Sequence, residues 1–149
     1  MIDRQPVSKA LAALLATASG RPVGRGKKPA SAGQHYYVLY ALDTTIGGSP
    51  LADLGEDLSP VYQVTSVSGP DPARPGSTGD PDQVEWMADK ARQTFLGRDP
   101  GTGLWLHPLT LPGISVMGRS LDIEAGGTND PTDGIISYVQ RFRFDLTPA

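Results

Sequence analysis

His35 and His107 are the chain's only imidazoles, so a Ser-His-Asp relay or a histidine-ligated metal would have to run through one of them. His35 opens an aromatic run and His107 precedes a proline. Neither stands at ligand spacing from another histidine, whereas a zinc site takes three or four protein ligands. Cysteine is absent, which excludes thiolate metal sites, a cysteine nucleophile and disulfides, and fits folding in a reducing cytosol. No G-x-S-x-G elbow exposes a serine, and no P-loop or G-x-G-x-x-G turn cradles a phosphate. Asn129, Asp130, Asp133 and Gly134 have calcium-type donors, but they lack EF-hand spacing and its closing glutamate, and they read as a turn. The expectation is a protein with no catalytic residue, no metal and no cofactor.

The remaining chemistry is charge. Arg21, Arg25, Lys27 and Lys28 lie in a glycine- and proline-rich stretch, suited to contact with phosphates or with an acidic face of another subunit. No RNP, KH or helix-turn-helix pattern accompanies them, and the net charge is −3. Residues 1–42 hold six basic side chains and one acid, so the excess of acid lies in the rest. Such a two-signed chain can stack on copies of itself. Arg141 and Arg143, interleaved with Phe142 and Phe144, suit either an exposed sheet face or an interface, where arginine is enriched. No apolar stretch is long enough to span a bilayer, and the start does not read as a signal peptide.

The elements that position these groups follow from periodicity. The 149 residues suit one domain covering residues 1–149. Val7, Leu11, Leu14, Leu15 and Ala18 share one face of a helix over residues 6–18, which Gly20 ends. Asp80 as cap, Pro81 in the first turn and Gln83 placed for a capping box predict a second helix ending at Gly97. Val84, Met87, Ala88, Ala91 and Phe95 form its stripe, and Trp86, off that stripe, is expected beneath a neighbouring loop or at a subunit contact. Strands are predicted at residues 36–42, 61–67, 104–106, 114–123 and 135–146. In the fourth, Met117, Arg119, Leu121 and Ile123 share a parity. The last alternates apolar and polar residues almost cleanly. Residues 20–34, 43–60 and 69–79 are predicted as mobile or partner-ordered loops, the second holding an acidic patch of Asp53, Glu56 and Asp57. A glycine- and aspartate-rich loop is predicted at 125–134. The order α-β-β-α-β-β-β predicts an α+β fold, with two helices packed on one face of a mostly antiparallel sheet and long Gly/Pro-rich loops.

Tyr62-Gln63-Val64-Thr65-Ser66-Val67, followed after a loop by Gln83-Val84-Glu85-Trp86-Met87-Ala88-Asp89-Lys90-Ala91-Arg92, resembles tail terminator proteins of long-tailed actinobacterial phages. Gly20-Arg21-Pro22-Val23-Gly24, Tyr37-Val38-Leu39-Tyr40 and the ending Arg141-Phe142-Arg143 through Leu146-Thr147-Pro148 extend the likeness. The loop after Val67 is longer than the pattern. The resemblance implies a virion structural protein, made in the host cytoplasm and placed at the head-proximal end of the tail. It would form a ring, a hexamer, that caps the tail tube, ends its polymerisation and joins the head connector. Its partners would be itself, the tail tube protein and head-tail connector proteins, with DNA passing through the lumen without specificity. The basic segment would line the lumen or a subunit contact, and Trp86, Arg141 and Arg143 would lie at interfaces. The alternatives are a head-side closure or adaptor protein, and a small-ligand-binding α+β domain.

Overall fold

A computed structural model of the chain describes residues 2–30, 33–48, 56–130 and 133–149. The elements run α1 (Arg4–Ser19), β1 (Val23–Arg25), β2 (His35–Gly48), β3 (Glu56–Ser68), α2 (Pro81–Leu96), β4 (Ile114–Asp130) and β5 (Ile135–Pro148). One five-stranded sheet has the order β1-β2-β3-β5-β4. β1 runs parallel to β2 and every other pair is antiparallel, so the fold is α+β.

Both helices lie where periodicity puts them. α1 buries Val7, Leu11 and Leu15, while Leu14 is only partly buried. It ends at Gly20, whose φ of 72° needs no Cβ penalty and whose N–H donates to Ala16 O at 2.9 Å. α2 buries Val84, Met87, Ala88, Ala91 and Phe95. Its terminal Gly97 is needed for another reason: φ is −64°, but a Cβ there would run into Gln93 O. The predicted capping box does not close. Asp80 accepts from the Asp82 amide at 3.0 Å, but the Asp80 N–H donates to Ser68 Oγ instead, and Gln83 Nε2 has no partner.

The helices cover one sheet face. Tyr37 and Leu39 of β2, Leu58, Tyr62 and Val64 of β3, and Phe142, Phe144 and Leu146 of β5 meet them there. Phe95 packs edge-on to Phe142 and Phe144 at centroid distances of 5.2 and 5.5 Å. Buried polar side chains clamp helices to sheet: Ser8 Oγ bonds Tyr62 Oη at 2.8 Å, Tyr37 Oη donates to Met87 O at 2.8 Å, and Gln140 Nε2 donates to Ala88 O at 3.0 Å. Burial pushes the pKa of both phenols up, so each keeps its proton.

Four loop or strand expectations are corrected. The stretch 20–34 contains β1, because Tyr37 N donates to Pro22 O and Gly26 N to Leu39 O, which docks the chain on the edge of β2. Most of 43–60 belongs to a long hairpin: Thr44 pairs with Pro60 and Ile46 with Leu58 beyond a bulge at Leu42 and Asp43. Asp53 lies outside the described residues. Residues 104–106 supply no strand, only the bridge Arg98–Trp105. Much of 125–134 is ladder, with Gly126 paired to Val139 and Asp130 to Ile135. Glycine- and aspartate-rich composition predicts loops, yet a paired neighbour supplies the hydrogen bonds that make a weak strand former extend. The stretch 69–79 is non-regular, as expected, and is tied by turn bonds around Asp71 and Ser77.

The parity expected for β4 holds for Arg119 and Leu121, opposite Phe144 and Phe142, and fails for Met117 and Ile123. Register shifts between Val116 and Gly118, Leu121 and Ile123, and Glu124 and Gly126 each insert a residue and reverse the alternation. Arg119 is buried on the helix side, Ile123 turns to the opposite face beside Arg141, and Met117 is exposed.

Candidate functional site

The four cations of the basic stretch do not form one loop patch, because β1 divides them along the sheet's first edge. Arg21 is carried to the helix side, where its guanidinium lies 5.6 Å from the centroid of Trp86. Trp86 is 45% exposed on α2, with the Arg21 guanidinium against its ring. Arg25 is exposed on β1 and borders a depression of about 280 Å³ with Ser8, Tyr40 and Tyr62. Lys27 is exposed, and the Lys28 ammonium sits 5.4 Å from the Tyr36 ring. Edge strands present unpaired backbone groups, and cations there discourage unspecific pairing.

The opposite edge is β4, which carries exposed Asp122 and Glu124. Glu124 accepts from Gln140 Nε2 at 3.0 Å and stands 4.0 Å from Arg92. Asp122 makes no ion pair among the described residues. It is the inserted residue of a bulge, which turns it away from the ladder. One sheet thus ends in Arg25, Lys27 and Lys28 on one side and in Asp122 and Glu124 on the other. Sequence reasoning missed the two acids: Asp122 lay at the end of the predicted strand and Glu124 between that strand and the predicted loop.

The sheet face away from the helices holds Arg141 and Arg143. Register aligns Tyr40, Gln63, Arg141 and Ile123 in a row across β2, β3, β5 and β4. Arg141 Nε donates to Gln63 Oε1 at 3.3 Å, while Tyr40 and Ile123 are 37% and 46% exposed, so no element covers the row's ends. Arg143 pairs with Asp145 at 3.2 Å, and Asp145 also accepts from Ser59 Oγ at 2.7 Å. Both arginines are tied laterally within the sheet and keep apolar neighbours, an arrangement that suits a docking face.

His35 comes nearest to catalytic geometry. Its Nδ1 lies 3.0 Å from Ser68 Oγ, close to Asp80. Ser68 is fully buried and its Oγ accepts the Asp80 amide at 2.9 Å. The hydroxyl proton is then free to be donated to Nδ1, and the trio joins β2, β3 and the start of α2 instead of presenting a nucleophile. Burial first, and Arg21 second, lower the His35 pKa from 6.5, against an opposing pull from Asp80. The unfolded chain therefore binds this proton at a higher pH than the folded one. The stability is fully present above pH 6.5 and is lost as pH falls below that value and through the lower folded pKa. Thermal melts between about pH 7.5 and about pH 5.5 are expected to show a falling midpoint in the wild type and a smaller fall in His35→Asn. Equal slopes would remove His35 from this role.

Among the described residues no three His, Asp or Glu side chains gather in a way that could hold a metal ion, and no helix is long and apolar enough to cross a membrane. The sequence matches no protein-family model and no curated protein.

Proposed function

We propose that this chain is a ring-forming structural protein, a tail terminator that caps a phage tail tube and joins it to the head connector. The observation that carries the reading is the opposite charge on the two edges of a single sheet. Placing the Arg25–Lys27–Lys28 edge of one copy against the Asp122–Glu124 edge of the next is a heterologous contact. Repeated head to tail, such a contact closes into a ring when the rotation permits. The motif order around Tyr62–Val67 and Gln83–Arg92 supports the specific role. The open face with Arg141 then offers each subunit a second surface, for the tube or the connector.

The test is light-scattering mass after gel filtration at low and moderate salt, with negative-stain images of the peak, alone and with tail tube protein. A hexamer mass with annular particles, weakening as salt rises, is the expected result. A monomer at every salt, with tube protein present, would overturn the reading and favour the adaptor or small-ligand alternatives.

A further inference from the structure

Among the described residues Arg119 is a buried cation without a counter-ion. Only 8% of its surface is exposed, and among the described residues it makes no ion pair. One terminal nitrogen donates to Phe95 O at 3.2 Å and to His107 O at 3.0 Å. The first of these oxygens lies in the last turn of α2, where the helix dipole favours a cation. That accounts for one nitrogen, while Nε is buried with no partner. A neighbouring charge makes matters worse: Arg98 stacks 3.9 Å from the Trp105 centroid, and Arg119 lies 4.8 Å from the same ring. Two guanidiniums thus flank one indole.

Arg119 also lines a groove of about 510 Å³ whose walls are Trp105, Leu109, Leu111, Ile114 and Val116. The groove runs along the start of β4, an edge strand whose outer side is bridged only at Leu111 among the described residues. It combines apolar walls, a cationic floor and an edge that can accept a strand. Leaving a buried charge unpaired is costly, and an incoming carboxylate would gain a charge-assisted hydrogen bond at a site already desolvated.

We infer that this groove is a docking site for an extended peptide segment of a partner protein in which a carboxylate side chain stands beside a large apolar one. The apolar side chain enters between Leu109 and Val116, the carboxylate faces Arg119 and Arg98, and the peptide backbone runs beside β4. The groove lies at the start of β4, apart from Asp122 and Glu124 further along the same strand, so peptide binding is read separately from ring formation.

Trp105 reports occupancy directly. With Trp86→Phe removing the only other indole, the probes are a capped Leu-Asp-Leu peptide and its Leu-Asn-Leu counterpart. The Asp peptide is expected to give a saturable change in Trp105 fluorescence at millimolar concentration or below. It should bind about tenfold more tightly than the Asn peptide, and more weakly as salt rises. Arg119→Gln is expected to abolish that preference. Arg98→Gln, at an exposed position, keeps the test valid should the buried variant fail to fold, and is expected to weaken Asp-peptide binding several-fold. No saturable response, equal binding of the two peptides, or unchanged binding in Arg98→Gln would overturn the inference.

Discussion

Truncating Phe144 to alanine is expected to cost the fold about 3–5 kcal/mol, the largest loss from any single side chain. Phe144 is fully buried and meets Phe95 edge-on at 5.5 Å and Tyr62 at 6.1 Å. It thereby joins β5 to α2 and β3, and register sets it opposite Arg119 of β4. Its removal leaves a cavity that rigid strands on both sides cannot close, and it forfeits edge-to-face contacts worth about 0.5–1.5 kcal/mol each. Denaturant unfolding at an unchanged m-value measures it, and the thermal midpoint should drop by roughly 10 °C. A loss below about 1 kcal/mol would show that this aromatic cluster is not the centre of the core.

Reversing one charge on each sheet edge is expected to give the largest effect on assembly. Lys27→Glu and Asp122→Lys are both exposed changes, so circular dichroism and melting should match the wild type. Each alone places like charges across the contact, which costs several kcal/mol in similar interfaces and should abolish the ring in the light-scattering experiment. The double variant Lys27→Glu/Asp122→Lys restores opposite signs and is expected to recover annular particles. Disruption by both single changes without recovery in the double would mean that the edges do not face one another. Unimpaired rings in all three would place the subunit contact elsewhere, and the open face with Arg141 and Ile123 would be the next surface to change.

The helices were legible because their information is local. Pro81 beside the capping Asp80, Gly20 and Gly97 at the stops, and apolar residues at three- and four-residue spacing all act within a turn or two. The alternation over residues 135–146 was legible for the same reason, and its buried face is the one periodicity indicates. The capping box at Gln83 was a sound local inference that a tertiary contact defeated, since Ser68 of β3 takes the Asp80 amide that Gln83 would have needed. Loops inside 20–34, 43–60 and 125–134 were read from glycine, proline and aspartate. Those residues lower strand propensity by amounts that a paired neighbour outweighs.

The site was less legible than the fold. Arg21, Arg25, Lys27 and Lys28 were recognisable as a basic cluster, but sequence proximity implied one patch where β1 distributes them around an edge. Arg141 and Arg143 were correctly read as lying on the strand face opposite the buried one. Nothing local marked Asp122 as the acid opposite that edge, and the parity that set Arg119 with Leu121 did not place it beside Trp105. Both depend on bulges in β4, which shift the register by single residues and leave no fixed signature in composition.

By itself, then, the chain determined its α+β class, its two helices and their buried stripes, the polarity of its last strand, and the separation of positive from negative charge along its length. Tertiary structure alone decided that β1 adds to the sheet as a parallel edge and that the β2–β3 hairpin extends through residues of loop composition. It also decided that the basic stretch around Arg25 and the acids Asp122 and Glu124 lie on opposite edges of one sheet. The physical reason is range: capping, periodicity and helix stops are energies between residues a few positions apart. Strand order, bulge placement and edge exposure are settled by hydrogen bonds and packing between residues brought together only when the whole chain has folded.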